Sequence, residues 1–306
     1  MSIYRKAERR KAKLRLAITG PAGSGKTYSA LLIAFGIGGK TALLDTENGS
    51  GDLYSALGDY DICSISAPFT VQKYIDAIKS AEQAGYDILI LDSISAEWAG
   101  SGGLLNLHTQ LTSSSKTNSF AAWGQVTPKH NAFIDAIINS RLHIICTIRS
   151  KTEYAQIQNE RGKTEIRKMG LGLVQREGID YEFTTVFDLN FNHEVTVSKD
   201  RTSIFDGQVF TITQETGKLL KDWLDSGIEV IDDRALQERK QAVYNNYLKL
   251  FQANPQDAPR LAQDAIMSVT HGRGSKEWTL EDITRLEADV QTRSNNAVQE
   301  ELAEAV

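Results

Sequence analysis

The chain has 306 residues, 34 Lys and Arg against 39 Asp and Glu, a formal net charge of −5, and 41% apolar residues. That is ordinary globular usage and excludes a collagen-like or wholly disordered chain. Its apolar runs fall far short of the ~20 residues of a membrane span, and no apolar stretch follows the basic N-terminus MSIYRKAERRKAKLRL, so a secretory leader is not expected.

In chain order, residues 14–19 form a short apolar run that reads as a buried strand entering a glycine-rich turn. Residues 26–37 have helical spacing. Residues 40–44 read as a second strand, ending in Asp45-Thr46-Glu47, and 61–65 as a short third. The segment 69–84 is an amphipathic helix closed by Gly85. Residues 87–91 (DILIL) form a continuous apolar strand of the kind buried on both faces of a parallel sheet. Residues 100–124, with Gly102-Gly103 and three consecutive serines, read as a loop. A helix over 128–140 and a buried strand over 142–148 follow. The stretch up to Gln175 has no clear period. Strands over 183–189, 194–198 and 209–213 lead to a helix over 214–224. Beyond Gly227 the pattern is all-helical, with Asp232 and Asp233 placed to cap one helix and Thr279-Leu280-Glu281-Asp282 a capping box opening another. Strands alternating with helices indicate an α/β fold with a mostly parallel sheet, antiparallel strands at its edge and a helical C-terminal extension. The expected divisions are a basic arm (1–13), a core (14–227) and an acidic helical region (228–306).

Cys63 and Cys146 lie far apart and in no CxxC pair. That fits a reducing compartment, and the cytoplasm is expected.

The segment Gly20-Pro21-Ala22-Gly23-Ser24-Gly25-Lys26-Thr27 matches G-x-x-x-x-G-K-[ST] between a strand and a helix. Glycines let the backbone N–H groups converge on phosphate oxygens, and the helix N-terminus adds partial positive charge. Lys26 reaches the β- and γ-phosphates of a nucleotide and the Thr27 hydroxyl binds Mg²⁺. Asp92, directly after an apolar strand, is the second carboxylate of such a Mg²⁺ site. Glu47, one strand over, is the candidate to orient a water on the γ-phosphate, with Asp45 the alternative. ATP and Mg²⁺ are the implied ligands.

Charge is uneven along the chain. Residues 1–15 hold seven basic residues against Glu8. Residues 149–176 hold Arg149, Lys151, Arg161, Lys163, Arg167, Lys168 and Arg176 against three glutamates. From Ile228 onward there are 14 acidic and 9 basic residues. The 149–176 stretch, with Tyr154 and several glycines, fits a flexible loop tracking a single-stranded DNA backbone. An arginine lid of a P-loop kinase and a solvated loop are the alternatives. The acidic region is expected not to hold DNA but to shield the basic stretch or dock a partner such as a single-strand DNA-binding protein.

The order Gly20–Thr27, Asp45-Thr46-Glu47, Asp92-Ser93, Ile148-Arg149 and Lys199-Asp200-Arg201 resembles the RecA-like recombinase core. It is similar above all to phage-encoded RecA-like ATPases of the single-strand annealing type, through residues 13–48, 118–130 (NSFAAWGQVTPKH) and 198–207 (SKDRTSIFDG). The resemblance spans about residues 13–225. It implies a RecA-like P-loop NTPase core acting as a homo-oligomer, with Glu47 as catalytic base and Lys199 and Arg201 reaching a neighbouring subunit's ATP. It implies ATP hydrolysis stimulated by single-stranded DNA, and annealing during recombination. Where RecA has a γ-phosphate-sensing glutamine before Ile-Arg, this chain has Thr147, a shorter side chain at the same nucleotide-facing position. A nucleotide-dependent switch or adaptor and a small-molecule P-loop kinase are the rival functions.

Overall fold

A computed structural model of the chain describes residues 4, 6–113, 118–158, 164–228, 233–252 and 254–304, with side chains described except at 152–171, 233–235 and 297–304. The chain divides into two compact units, Met1–Ile228 and Glu229–Val306.

The first unit is built on a sheet of nine strands among the described residues. They are β1 (Arg15–Gly20), β2 (Thr41–Asp45), β3 (Asp61–Ser64), β4 (Ile88–Asp92), β5 (His143–Gln158), β6 (Thr164–Leu173), β7 (Thr185–Leu189), β8 (Glu194–Asp200) and β9 (Val209–Thr211). The spatial order is β3-β2-β4-β5-β1-β7-β8-β9, and β6 pairs with β5 off this path. Strands from β3 through β7 along this path run parallel, whereas β8 and β9 are antiparallel additions at the edge. Helices α1 (Lys26–Ile37), α2 (Val71–Gln83), α3 (Ser95–Ala99), α4 (Leu104–Ser113), α5 (Ser119–Ile138) and α6 (Gln214–Asp225) complete the unit.

Alternation along the central strands splits the apolar residues between two faces. Leu16 and Ile18 of β1 join Leu31 and Ile33 of α1 and Leu220 of α6 on one side. Ala17 joins Tyr74 and Ile78 of α2 and Phe133 of α5 on the other. The result is a helix–sheet–helix sandwich whose central strands β1, β2 and β4 are buried throughout, which is why they read as apolar runs, whereas the edge strand β3 is largely exposed. Helices α1 and α6 approach so closely that a Cβ on Gly36 would lie 1.9 Å from the Gln214 carbonyl oxygen, and one on Gly217 would lie 2.2 Å from that of Ile33.

Three expectations are corrected. Residues 100–124 are largely helical: α4 carries Leu104, Leu107 and Leu111 at helical spacing, and α5 begins at Ser119, where the Asn118 side chain accepts from the Ala121 N–H at 2.8 Å. Pro128 lies inside α5 and not at its start. A proline there removes one N–H donor and crowds the Gly124 carbonyl with its ring, costs that the burial of Val126, Phe133 and Ile134 offsets.

The 149–176 stretch is not an irregular loop. Strand β5 runs on past the sheet and pairs with β6 as a long antiparallel ribbon from Ser150↔Leu173 to Gln158↔Thr164. The expected site residues Arg161 and Lys163 lie outside the described residues. Arg167 and Lys168 pair in register with Ala155 and Tyr154.

The basic N-terminal stretch, residues 1–15, is in part structural. Arg15 is buried, and its guanidinium donates to the carbonyls of Leu14, Ile138, Ser140 and Leu142 at the end of α5. Burial lowers its pKa to about 10. Arg9 lies over the Trp223 ring at 4.2 Å, and the backbone of residues 9–12 pairs with that of 224–228.

The second unit consists of α7 (Asp233–Leu250), α8 (Ala258–Val269) and α9 (Leu280–Glu304) around Val243, Tyr247, Ile266, Trp278, Ile283 and Leu286. The Thr279 capping box forms: the Asp282 N–H donates to Thr279 Oγ1 and the Thr279 N–H to Asp282 Oδ2. Asp232 lies outside the described residues. Among the described residues no helix is long and apolar enough to cross a membrane.

Candidate functional site

In a parallel sheet the loops at the carboxyl ends of the strands meet along one edge, and ligands bind there. Four such ends converge here. Register places Gly20 of β1 beside Arg149 of β5, and Asp45 of β2 beside Asp92 of β4. They enclose a cavity of about 520 Å³ lined by Ala22, Gly23, Gly25, Lys26, Thr27, Glu47, Ser50, Tyr54, Asp92, Arg149, Ser150 and Val174.

Gly23 and Gly25 have φ of 78° and 84°, so the loop backbone requires glycine at both. Gly20 fits because a Cβ there would meet the Leu189 carbonyl oxygen at 2.8 Å. Pro21 and Ser24 close the turn, with the Ser24 N–H donating to the Pro21 carbonyl. Lys26 Nζ donates to that carbonyl too, at 2.8 Å, and burial holds its pKa below 10.5.

Asp92 is 2% exposed. Its Oδ2 accepts from Thr27 Oγ1 and its Oδ1 from Thr147 Oγ1, each at 2.5 Å. Burial raises its pKa, opposed by these two hydroxyl bonds. Thr147 is thereby reassigned. It is fully buried, is not among the cavity's lining residues, and holds Asp92 from behind. The β-branched side chain is too short to pass the carboxylate.

The two acidic candidates on β2 are distinguished by geometry. Asp45 is 1% exposed and accepts from the N–H groups of Glu47 and Gly49, both at 2.6 Å. It shapes the loop and is not among the residues that line the cavity. Glu47 faces the cavity and accepts from Arg149 Nη2 at 2.6 Å and Nε at 3.2 Å. Arg149, expected on a DNA-tracking loop, therefore belongs to the phosphate cavity. Lys151, exposed, is the first basic residue of the ribbon beyond it. Arg176 follows the ribbon and lines a separate depression with His130, Asp135 and Glu182.

Lys199 and Arg201 lie at the far end of β8. Lys199 pairs with Val186, level with Ala17 at the start of β1, and so sits roughly 10 Å below Gly20 at 3.3 Å per residue. Lys199 Nζ donates to the carbonyls of Asp180 and Tyr181. Neither residue lines the cavity of its own chain.

Sequence reasoning missed Tyr54. It lies in a 3-10 turn over Ser50–Leu57, and its ring meets that of Tyr28 edge-on at 6.2 Å. The only hint was an aromatic placed soon after Asp45-Thr46-Glu47. Tyr54 offers the cavity an aromatic wall suited to a nucleoside base.

The residues fit a magnesium nucleotide. Ser150 Oγ in the cavity wall, and Ser24 and Ser93 Oγ near it, are buried without a hydrogen-bond partner. Thr27 can offer an oxygen lone pair to a cation while its hydrogen remains on Asp92. Among the described residues no cluster of three His, Cys, Asp or Glu forms a metal cage, and Mg²⁺ needs none because it keeps several waters and phosphate ligands.

These shifts set a pH dependence. Protonating Asp92 removes the negative charge behind the cation, so affinity falls as pH drops through a pKa raised above 3.8. Deprotonating Lys26 removes the cation facing the phosphates, so affinity falls as pH rises through a pKa lowered from 10.5. Titrating Mg-nucleotide affinity from about pH 5 to about pH 10 should show both limbs displaced inward from the ordinary side-chain values. Asp92→Asn should remove the acid limb. An acid limb unchanged in that variant would assign it elsewhere.

No curated protein matches the sequence. A family model described as "AAA domain" matches residues 12–225, the span that carries the phosphate loop, Glu47, Asp92 and Arg149. The chain belongs to this AAA domain family, and its first unit is a P-loop NTPase core.

Proposed function

We propose that the chain is a Mg²⁺-dependent, RecA-like ATPase of phage type that binds single-stranded DNA, works as a homo-oligomer in the host cytoplasm, and promotes annealing during recombination. The observation that carries this reading is the continuity of β5. The strand that supplies Arg149 and Ser150 to the phosphate cavity continues as one arm of the ribbon that bears Lys151, Arg167 and Lys168, and Val174, the residue directly after the last position of the other arm to pair with it, also lines the cavity. A change at the γ-phosphate position and a change at the ribbon root are therefore changes in the same residues.

Within this reading the loop N–H groups and Lys26 bind the phosphates, and Thr27 and Asp92 hold Mg²⁺, which when bound neutralises charge on the phosphate oxygens. Tyr54 takes the base. Glu47 orients the attacking water and accepts its proton. Glu47 is engaged by Arg149; a γ-phosphate would offer that guanidinium a competing anion and leave the carboxylate free for water. Lys199 and Arg201 do not line their own cavity, and act on a neighbouring subunit's.

The test is ATPase rate and single-stranded DNA affinity at two salt concentrations, in the wild type and in a variant with Arg161, Lys163, Arg167 and Lys168 neutralised. The variant should bind all DNA sequences more weakly, with the log–log salt slope reduced by ~0.7 per lost contact, and should keep nucleotide binding. Unchanged DNA affinity and slope would remove the ribbon from the interface. ATP turnover indifferent to DNA would favour the adaptor or kinase readings.

A further inference from the structure

Beyond the residues that line the cavity, the turn between β7 and β8 reaches the phosphate loop from outside. β7 pairs with β1 up to Thr19↔Asp188, so this turn emerges beside Gly20. Asn190 organises it: the Asn190 side chain accepts from the N–H groups of Asn192 and Glu194 at 2.8 and 3.0 Å, and the Asn190 carbonyl accepts from the His193 N–H at 3.2 Å. His193 adopts φ 64°, a left-handed conformation uncommon for a residue with a side chain.

That conformation brings His193 Nδ1 to 3.0 Å from the Ser24 carbonyl oxygen. A carbonyl only accepts, so Nδ1 carries the proton and donates. The ring lies flush on Gly25, where an added Cβ would meet Nδ1 at 3.1 Å. In a trans peptide the C=O of Ser24 and the N–H of Gly25 point in opposite directions. Holding the carbonyl outward on His193 therefore turns the Gly25 N–H toward the opposite side, and Gly25 is one of the residues lining the cavity.

We propose that His193 is a positioning residue for the phosphate loop: its Nδ1–H fixes the Ser24–Gly25 peptide so that the Gly25 N–H is aimed at a phosphate oxygen. This rests on the nucleotide-binding reading above. The free loop could otherwise flip this peptide, since a flip turns on the Ser24 ψ and the Gly25 φ, and glycine tolerates many backbone angles. Binding would then have to select the minor orientation and would be weakened by its small population.

The experiment compares His193→Asn and His193→Gly. Asparagine tolerates the left-handed region and carries its amide nitrogen one bond from Cγ, where histidine carries Nδ1. Glycine keeps the backbone and removes the donor. Affinity for Mg-ADP, KM and kcat for ATP, and the nucleotide-free melting temperature are measured for each, with Lys26→Ala in parallel. His193→Gly should bind about tenfold more weakly, on the scale of one hydrogen bond, with KM raised and kcat nearly unchanged. His193→Asn should lie within about twofold of wild type. Wild-type affinity in His193→Gly, or an asparagine variant as weak as the glycine one, would overturn the proposal. If glycine lowers the nucleotide-free melting temperature, His193→Asp takes its place: it has the asparagine shape without an N–H, and is read at high salt to screen its charge. Loss of binding in Lys26→Ala with none in the donor-free variant would reject His193 alone, whereas unchanged binding in Lys26→Ala would reject the nucleotide site itself.

Discussion

Lys26→Ala is expected to abolish nucleotide binding while leaving the protein folded. Lys26 is the cation of the phosphate loop and lines the cavity, with Asp92 and Glu47 the nearest charges that favour its protonated form. Without it the β- and γ-phosphates would face these carboxylates with no point charge between them. Alanine is the best helix former, so α1 loses nothing at its first residue, and the hydrogen bond lost with Nζ is one to the Pro21 carbonyl. The measurement is Mg-ATP and Mg-ADP affinity by calorimetry together with thermal melting. Unchanged affinity in the folded variant would refute the site. The same variant tests the oligomer. A Lys26→Ala subunit still carries Lys199 and Arg201, so mixing it with Arg201→Ala protein should restore part of the turnover at shared interfaces. No restoration at any ratio would count against action across subunits.

Glu47→Gln is expected to retain nucleotide affinity and to lower the hydrolysis rate by roughly 10²-fold or more, the range of a general base. The amide is isosteric and can still meet Arg149, but it cannot accept a proton from water. The contrasting variant is Asp45→Asn. Asp45 accepts backbone N–H bonds from Glu47 and Gly49 through both carboxylate oxygens. An asparagine would leave one of those donors facing another donor, at a cost of about 1–3 kcal/mol. It should therefore lower the melting temperature, and slow turnover only as the loop loosens. Normal turnover in Glu47→Gln alongside a catalytic loss in a stable Asp45→Asn would exchange the two roles.

The amino-acid sequence by itself determined the phosphate loop, α1 to the residue, the parallel strands and the antiparallel edge. These follow from local rules. The glycine pattern is contiguous, and strands buried on both faces must be apolar throughout. Asp92 was legible for the same reason, since a charge directly after such a strand can stand only at its end. The helix α4 and the first half of α5 were hidden because glycines, serines and Pro128 resemble loop punctuation, and the leucine spacing of α4 was outweighed; the second half of α5 was legible. The β5–β6 ribbon was hidden because residues 151–172 show no regular apolar alternation, and pairing, not periodicity, defines it.

The tertiary structure decided what each polar group faces. Glu47 and Arg149 are 102 residues apart in sequence and 2.6 Å apart in space; Asp92 and Thr147 are separated by 55 residues, and Ser24 and His193 by 169. None of these pairs leaves a mark in local spacing. They arise because the register of β1, β2, β4 and β5 brings four strand ends to one edge, and the β7–β8 turn beside them. Which carboxylate is buried under backbone donors and which is open to a ligand is set by that register, through desolvation and hydrogen bonding that a chain read in one dimension does not contain.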